Sequence, residues 1–357
     1  MPATVGRPAT PVLFASHDRG AVEAYLHRFL DAKQRSDETG DVAGRYAQYV
    51  SRGKMMRAML VVLAYRMGGR PHLVDDVLRC ASALELLHSA MLIHDDLIDR
   101  SDERRGQPTW HVRYSQLAAA RGAAEAAHVG RSMALCAGDI GFFFAFEMLA
   151  QLDVEEQIKR RVLTAVTRSV GAAGLGELHE MRLALHHNGS DAAILDVYAQ
   201  KTAGYSCALP LTVGALLGRL PPDTVAELDA IGQALGEMFQ VIDDELDLFG
   251  DAEALGKPVG TDVREGRHTL FYALLERLLP APEWAQLKPL FGNGELQPAE
   301  LHRVCAAVDR AGIRGLIGRH LQRSSAAAME RIAALPVAPV HRESLRRTLG
   351  AVLARRP

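Results

Sequence analysis

Three aspartates, Asp95, Asp96 and Asp99, close an apolar run from Leu86 to Ile93. In a helix of 3.6 residues per turn, Asp95 and Asp99 share a face about 6 Å apart along the axis, and Asp96 sits about 100° round from Asp95. Carboxylates so close repel: two charges 4 Å apart at an effective dielectric near 20 cost about 4 kcal/mol. Water at a helix end relieves this. So does a divalent cation, and carboxylate oxygens suit Mg2+. A second cluster decides between the two readings. Asp243-Asp244-Glu245-Leu246-Asp247 repeats the spacing at the end of another apolar run, Ala234 to Ile242. Two unrelated solvated helix ends would need the same spacing and context to arise twice, so the pair reads as a metal site.

Basic residues lie near both clusters. Lys54 and Arg57 share a helix face just after Gly53, and Arg104 and Arg105 follow the first acidic motif. Lys201 and Thr202 open a turn-like Lys-Thr-Ala-Gly, and Lys257 and Arg267 flank a Gly/Pro-rich loop. Arginine forks a phosphate through two bonds, and lysine offers a point charge. Mg2+ usually bridges carboxylates to phosphates. Two acidic helix ends brought together, with these cations around them, would make two polyanion sites.

The elements that must carry these groups read as helices. Residues 1–17 are Pro/Thr/Ala-rich and read as a flexible leader, and 18–357 as one all-α domain, since Leu, Ala and Met recur every three or four residues. The spacing predicts helices over 21–33, 54–67, 74–100, 110–120 (with Thr109 as N-cap), 124–150, 155–185, 191–218, 223–249, 267–279 and most of 298–355. The stretch 250–266 reads as a loop.

Composition excludes several classes. With 357 residues, 48% hydrophobic, 24% charged and a net charge of −2, nothing global points to nucleic acid or an acidic membrane. No secretory signal is evident and no uncharged apolar run reaches membrane-span length. The four cysteines form no CxxC pair and read as reduced core thiols, which suits a cytoplasmic protein.

In order along the chain stand Gly53-Lys54-Met55-Met56-Arg57, Glu85-Leu86-Leu87-His88, His94-Asp95-Asp96-Leu97-Ile98-Asp99, Arg104-Arg105-Gly106-Gln107-Pro108-Thr109, Ala137-Gly138-Asp139, Lys201-Thr202-Ala203-Gly204, Phe239-Gln240-Val241-Ile242-Asp243-Asp244 and Gly256-Lys257-Pro258-Val259-Gly260-Thr261-Asp262. Over roughly residues 20–350 this combination resembles the trans-isoprenyl diphosphate synthases, the polyprenyl synthetase family. The resemblance implies a single helical bundle with a central apolar cavity, and a homodimer. It also implies a prenyltransferase that condenses isopentenyl diphosphate with dimethylallyl, geranyl or farnesyl diphosphate. Three Mg2+ ions would be held mainly by Asp95, Asp99 and Asp243, with Asp96, Asp244 and Asp247 in support or bound through water. Arg104, Lys201, Thr202, Gln240 and Lys257 would grip the allylic diphosphate, with Arg267 beside them. Lys54, Arg57, His88 and Arg105 would hold isopentenyl diphosphate. Two departures stand out: Ala58 replaces a usual proline, and Arg267-His268 stands where a lysine is common.

In this family, bulk just before the first motif stops the growing chain. Ala90 and Met91 occupy those places; Ala90 leaves room to reach Leu86 and Leu87, and Phe143 or Phe146 would form the floor. The expectation is a C20 product, geranylgeranyl diphosphate, with C15 and C25 as alternatives. Two rivals are a class I terpene cyclase, which would not need the second acidic motif in this form or a second diphosphate site, and a non-catalytic subunit of a heteromeric synthase, which would tend to lose motif aspartates or arginines.

Overall fold

The computed structural model describes residues 16–357 except 36–39, 52, 105, 187–188 and 252–258. It is all-α, apart from a hairpin of two two-residue strands, β1 (Glu103–Arg104) and β2 (Gln107–Pro108). The described residues divide into two compact units, one within 16–163 and 213–219, the other within 164–212 and 220–357.

The first unit is built on α4 (Asp75–Ile98) and α6 (Ala126–Ala150), which pack against each other. Around them lie α1 (Ser16–Gln34), α2 (Gly40–Val50), α3 (Met56–Arg66) and α5 (Trp110–Ala120). α4 is apolar nearly all round: Val77, Cys80, Leu84, Leu86, Leu87 and Ile93 are all buried. A helix with no polar face belongs in a core, each large apolar side chain contributing about 1.5–3 kcal/mol. α1 starts at Ser16, two residues before the expected start of the domain at 18; residues 1–15 lie outside the described residues. Asp18 in its first turn is buried and takes both arms of Arg66 (2.6 and 2.7 Å). α2 was not expected from the sequence.

By length and hydropathy α6 is the one described helix able to cross a membrane. It is not an uncharged run: Glu147 pairs with Lys33 (2.6 Å), and the buried face of α6 packs on α4 and α5, as in a core helix. Cys80 alone of the four free cysteines is buried, and Cys136 on α6 is exposed, against the expectation of core thiols.

The second unit is built on α10 (Pro222–Phe249). α8 (Asp191–Tyr198) runs into a ten-residue π-helical stretch, Ala199–Ala208, and then α9 (Leu209–Leu217). The expected turn at Lys201–Gly204 is therefore part of a continuous, locally widened helix, a feature found mostly at functional sites. α10 lies close against it because Gly232 and Gly236 lack side chains: a Cβ at Gly236 would come 2.3 Å from Ala203 Cα, and one at Gly232 2.4 Å from Ala208 Cα. The expected loop after α10 holds a short helix, α11 (Thr261–Glu265). Then follow α12 (Leu270–Leu278), α13 (Ala281–Leu287), α14 (Pro298–Arg310), α15 (Ile313–Ala334) and α16 (Pro339–Leu353). In each unit an acidic motif sits at the C-terminal end of a central helix.

Candidate active site

The first motif is made where α4 stops. Asp99 N–H donates to Asp95 O (2.8 Å) and Ser101 N–H to Asp96 O (3.0 Å), with Arg100 between them at φ 51°. That is a Schellman ending with arginine, rather than glycine, in the left-handed position. The chain then turns into the β-hairpin, which carries Arg104 back to the helix. Arg104 Nε donates to Asp96 Oδ1 at 2.5 Å. Asp96 is 1% exposed, and burial pushes its carboxyl up to about 6; Arg104 opposes this, and Asp95 and Asp99 add to it. Asp95 and Asp99 stay partly exposed. One acid of the three is thus committed to an arginine inside the protein, and two keep partial exposure.

His94, just before the motif, places Nε2 3.3 Å from Leu135 O and 3.4 Å from Asp139 Oδ1. Gly138 makes room for it, since a Cβ there would fall 2.1 Å from that nitrogen. This gives Ala137-Gly138-Asp139 its physical reason. At the start of α3, Lys54 is exposed and Arg57 half-buried, separated by Met55, a buried residue at φ 50°. A non-glycine residue held there stores strain of order 1–3 kcal/mol, a sign that the fold fixes this turn closely. Ala58 has the backbone N–H that proline lacks, and Glu85 on α4 accepts it (3.0 Å), an acid at a helix N-terminus. His88 is half-buried one turn after Glu85. Arg105 lies outside the described residues.

The second motif divides its acids the same way. Asp244 is 4% exposed; Tyr198 donates to its Oδ2 and Gln240 Nε2 to its Oδ1 (2.8 Å). Gln240 in turn accepts from Thr202 Oγ1 (2.8 Å), and Tyr198 Oη from Leu270 N–H (3.0 Å). Burial pushes the Asp244 carboxyl up to about 7, with the two hydrogen bonds opposing. Asp247 is also buried: its Oδ2 accepts from Asp262 N–H at the head of α11 (2.9 Å). Asp243 is half-exposed and meets Arg355. Glu245 is fully buried between Arg314 and Arg356. Lys201 sits between Glu177 (2.7 Å) and Glu180 (2.5 Å) of α7 (Glu156–His186). Burial alone would raise the Glu180 carboxyl, but Lys201 and Arg267 hold it below its ordinary value. Arg267 pairs with Glu265 (2.7 Å). Lys257 lies outside the described residues.

The sequence reading missed Tyr198, Glu177, Glu180, Arg355 and Arg356. Only the acids gave a signal, standing nine and six residues before the end of α7 and just after the small-residue stretch Gly171 to Gly176. One chain-length call needs correction. Phe143 is 72% exposed on the outer face of α6 and forms no floor there; Phe144 is the buried ring, against Tyr46 and Phe29. Ala90 is buried on the side of α4 that meets α6, where Gly141 lets the two helices approach. Met91, half-exposed and four residues before Asp95, lies on the Asp95 face. Thr109 does occupy the N-cap position of α5, but its side chain makes no capping bond.

The donor set suits a hard divalent cation. Oδ2 of Asp96 and Oδ1 of Asp247 accept no hydrogen bond from any described residue. Among the described residues no three carboxylate, histidine or cysteine groups converge to enclose a metal unaided. Mg2+ needs no such cage: one or two carboxylates, water and substrate phosphate complete its shell.

Helical architecture, an acidic helix end in each unit and lysines or arginines beside each define an all-α protein built to handle polyanions. The chain belongs to the polyprenyl synthetase family, whose model matches residues 42–308. It is 30% identical over 249 residues to a short chain isoprenyl diphosphate synthase of Methanocaldococcus jannaschii, covering 70% of each chain. It is 31% identical over 304 residues to heptaprenyl diphosphate synthase component 2 of Geobacillus stearothermophilus, covering 83% of each. A crystal structure of geranylgeranyl pyrophosphate synthase from Corynebacterium glutamicum, complexed with isoprenyl diphosphate and magnesium, superposes with a TM-score of 0.88 at 26% identity, covering 96% of this chain and all of that one. The chain is a prenyltransferase of this all-α class.

Proposed function

We propose that this prenyltransferase extends allylic diphosphates with isopentenyl diphosphate to the C20 product, geranylgeranyl diphosphate. The observation that carries the site assignment is the division of each acidic motif. Asp96, Asp244 and Asp247 are buried in internal bonds, whereas Asp95, Asp99 and Asp243 stay partly exposed. The second set is assigned as the main metal ligands, and the first as the residues that hold them, with the unbonded oxygens of Asp96 and Asp247 assigned to the metal through water. Bound Mg2+, three ions per site in this reading, would neutralise the charge that develops on the diphosphate leaving group.

The protein's own residues supply the rest. Arg104, Lys201 and Thr202, with Gln240, Lys257 and Arg267, are assigned to the allylic diphosphate; Lys54, Arg57, His88 and Arg105 to isopentenyl diphosphate. The allylic C1–O bond breaks with its electron pair leaving on the diphosphate. The isopentenyl double bond attacks C1, and the proton lost from the adjacent carbon passes to the released diphosphate, since no strong protein base is assigned. A dry, apolar surround would keep water from the cation. Assembly as a homodimer through α6 is supported by Leu135 (51% exposed) and Phe143 on its outer face.

Product length is assigned to Met91, with Leu87 one turn deeper, because Ala90 is packed against α6. Incubating the purified chain with Mg2+, labelled isopentenyl diphosphate and each allylic primer tests this. A dominant C20 band is expected, shortened to C15 in Met91→Phe. A dominant C15 or longer band from the wild type overturns the C20 assignment. Turnover of an allylic diphosphate without isopentenyl diphosphate would favour a terpene cyclase, and no turnover by the chain alone a subunit of a heteromeric synthase.

A further inference from the structure

We propose that Arg355 is the resident counter-cation of Asp243, holding that carboxylate in place and setting how tightly it takes a divalent metal. This rests on the reading of Asp243 as a metal ligand. Just after α16, two consecutive arginines grip α10 at two points. Arg356 reaches Glu245 with both arms (2.7 Å each), and Arg314 from α15 meets the same carboxylate (3.2 Å). Glu245 is 0% exposed, and a fully buried carboxylate does not readily let go of its partners. This cluster pins the segment after α16 to the motif helix.

Arg355 is thereby delivered to Asp243, about 200° round α10 from Glu245. Its Nη2 donates to Asp243 Oδ1 (2.5 Å), and its guanidinium lies over the Phe239 ring at 4.1 Å. Its other terminal nitrogen, Nη1, is buried with no hydrogen-bond partner among the described residues. The two arginines serve acids of opposite accessibility. Arg356 serves an acid no metal can reach, so its role is anchoring. Arg355 serves an acid open to solvent, so its bond can be exchanged, and the stacked ring keeps the guanidinium at hand when it is. Without substrate, Mg2+ must displace this cation to reach Asp243 Oδ1, and the positive charge beside the oxygen lowers metal affinity.

The test is calorimetric titration of Mg2+ into the substrate-free full chain. Arg355→Met keeps an apolar stem over Phe239 and removes the charge. It is expected to tighten Mg2+ binding about three- to tenfold, as for loss of a half-exposed ion pair, and to lower the Mg2+ concentration for half-maximal rate. Arg355→Lys keeps the charge and is expected to stay near wild type. Phe239→Leu loosens the stacked cation and should shift affinity in the same direction, which keeps the test open if Arg355→Met folds poorly. Unchanged or weaker Mg2+ binding in well-folded Arg355→Met and Phe239→Leu overturns the proposal. Asp243→Asn separates the two readings. If it weakens Mg2+ binding while Arg355→Met does nothing, only the counter-cation role fails; if it leaves binding at the wild-type level, Asp243 is no ligand and both fail.

Discussion

Asp96 shows how one residue of a repeated motif takes a different job from its neighbours. Its carboxyl is buried, held by Arg104, and raised to about 6 by that burial. An unfolded aspartate titrates near 3.9. The folded form therefore binds its proton more tightly, and the stability that proton confers is full below about pH 4 and lost as pH rises through about 6. A shift of about two units corresponds to about 3 kcal/mol. In metal-free protein, Asp96→Asn is expected to be more stable than wild type at pH 7, by about 2 kcal/mol, with the gap closing as pH falls to 5. Urea melts of both proteins across that range check it; a gap that widens on acidification contradicts the assignment. Asp244 is displaced in the same direction and adds to the wild-type trend.

At the scale of elements, the π-helical stretch Ala199–Ala208 is the part that sequence patterns could not show. Its residues keep apolar spacing close to an ordinary helix, so 191–218 reads as one element, and the Gly204 signal suggests a turn. The widening becomes meaningful only with α10 in place, packed so near that Gly236 cannot carry a Cβ. Backbone cannot yield as a flexible side chain does. Gly236→Ala is accordingly expected to cost about 1–3 kcal/mol, and to shift Lys201 and Thr202 enough to raise KM for the allylic substrate. Denaturation and steady-state kinetics measure both; an alanine variant as stable as wild type, with unchanged KM, would show that the two helices have room to part. The helix ends were more legible. The helices expected over 54–67 and 223–249 run from Met56 to Arg66 and from Pro222 to Phe249, ended before Gly68-Gly69 and started at a proline.

At the scale of the molecule, the apolar content of α6 exceeds what its own unit covers: Leu135 and Phe143 face outward while Phe144 and Met148 are buried. A second copy of the chain is the proposed cover. Replacing Leu135 and Phe143 together by glutamate is expected to convert a dimer to a monomer with the helical circular dichroism unchanged, as read by analytical ultracentrifugation. A wild-type chain that sediments as a monomer rejects the proposal.

What the sequence determined alone is the helical class, the place of both acidic motifs and the cations beside them. Each of these is local: a 3.6-residue period, a spacing within one turn, a proline or glycine at a helix end. Tertiary structure alone decided which aspartates are sealed in internal bonds and which are left to solvent. It also decided that Phe143 points outward and that Ala90 meets α6. The reason is that burial and partner choice depend on side chains far apart in the chain. Asp96 depends on an arginine returned by a hairpin, Asp244 on a tyrosine 46 residues earlier, and Asp243 on an arginine 112 residues later. No periodicity within a single helix encodes those meetings.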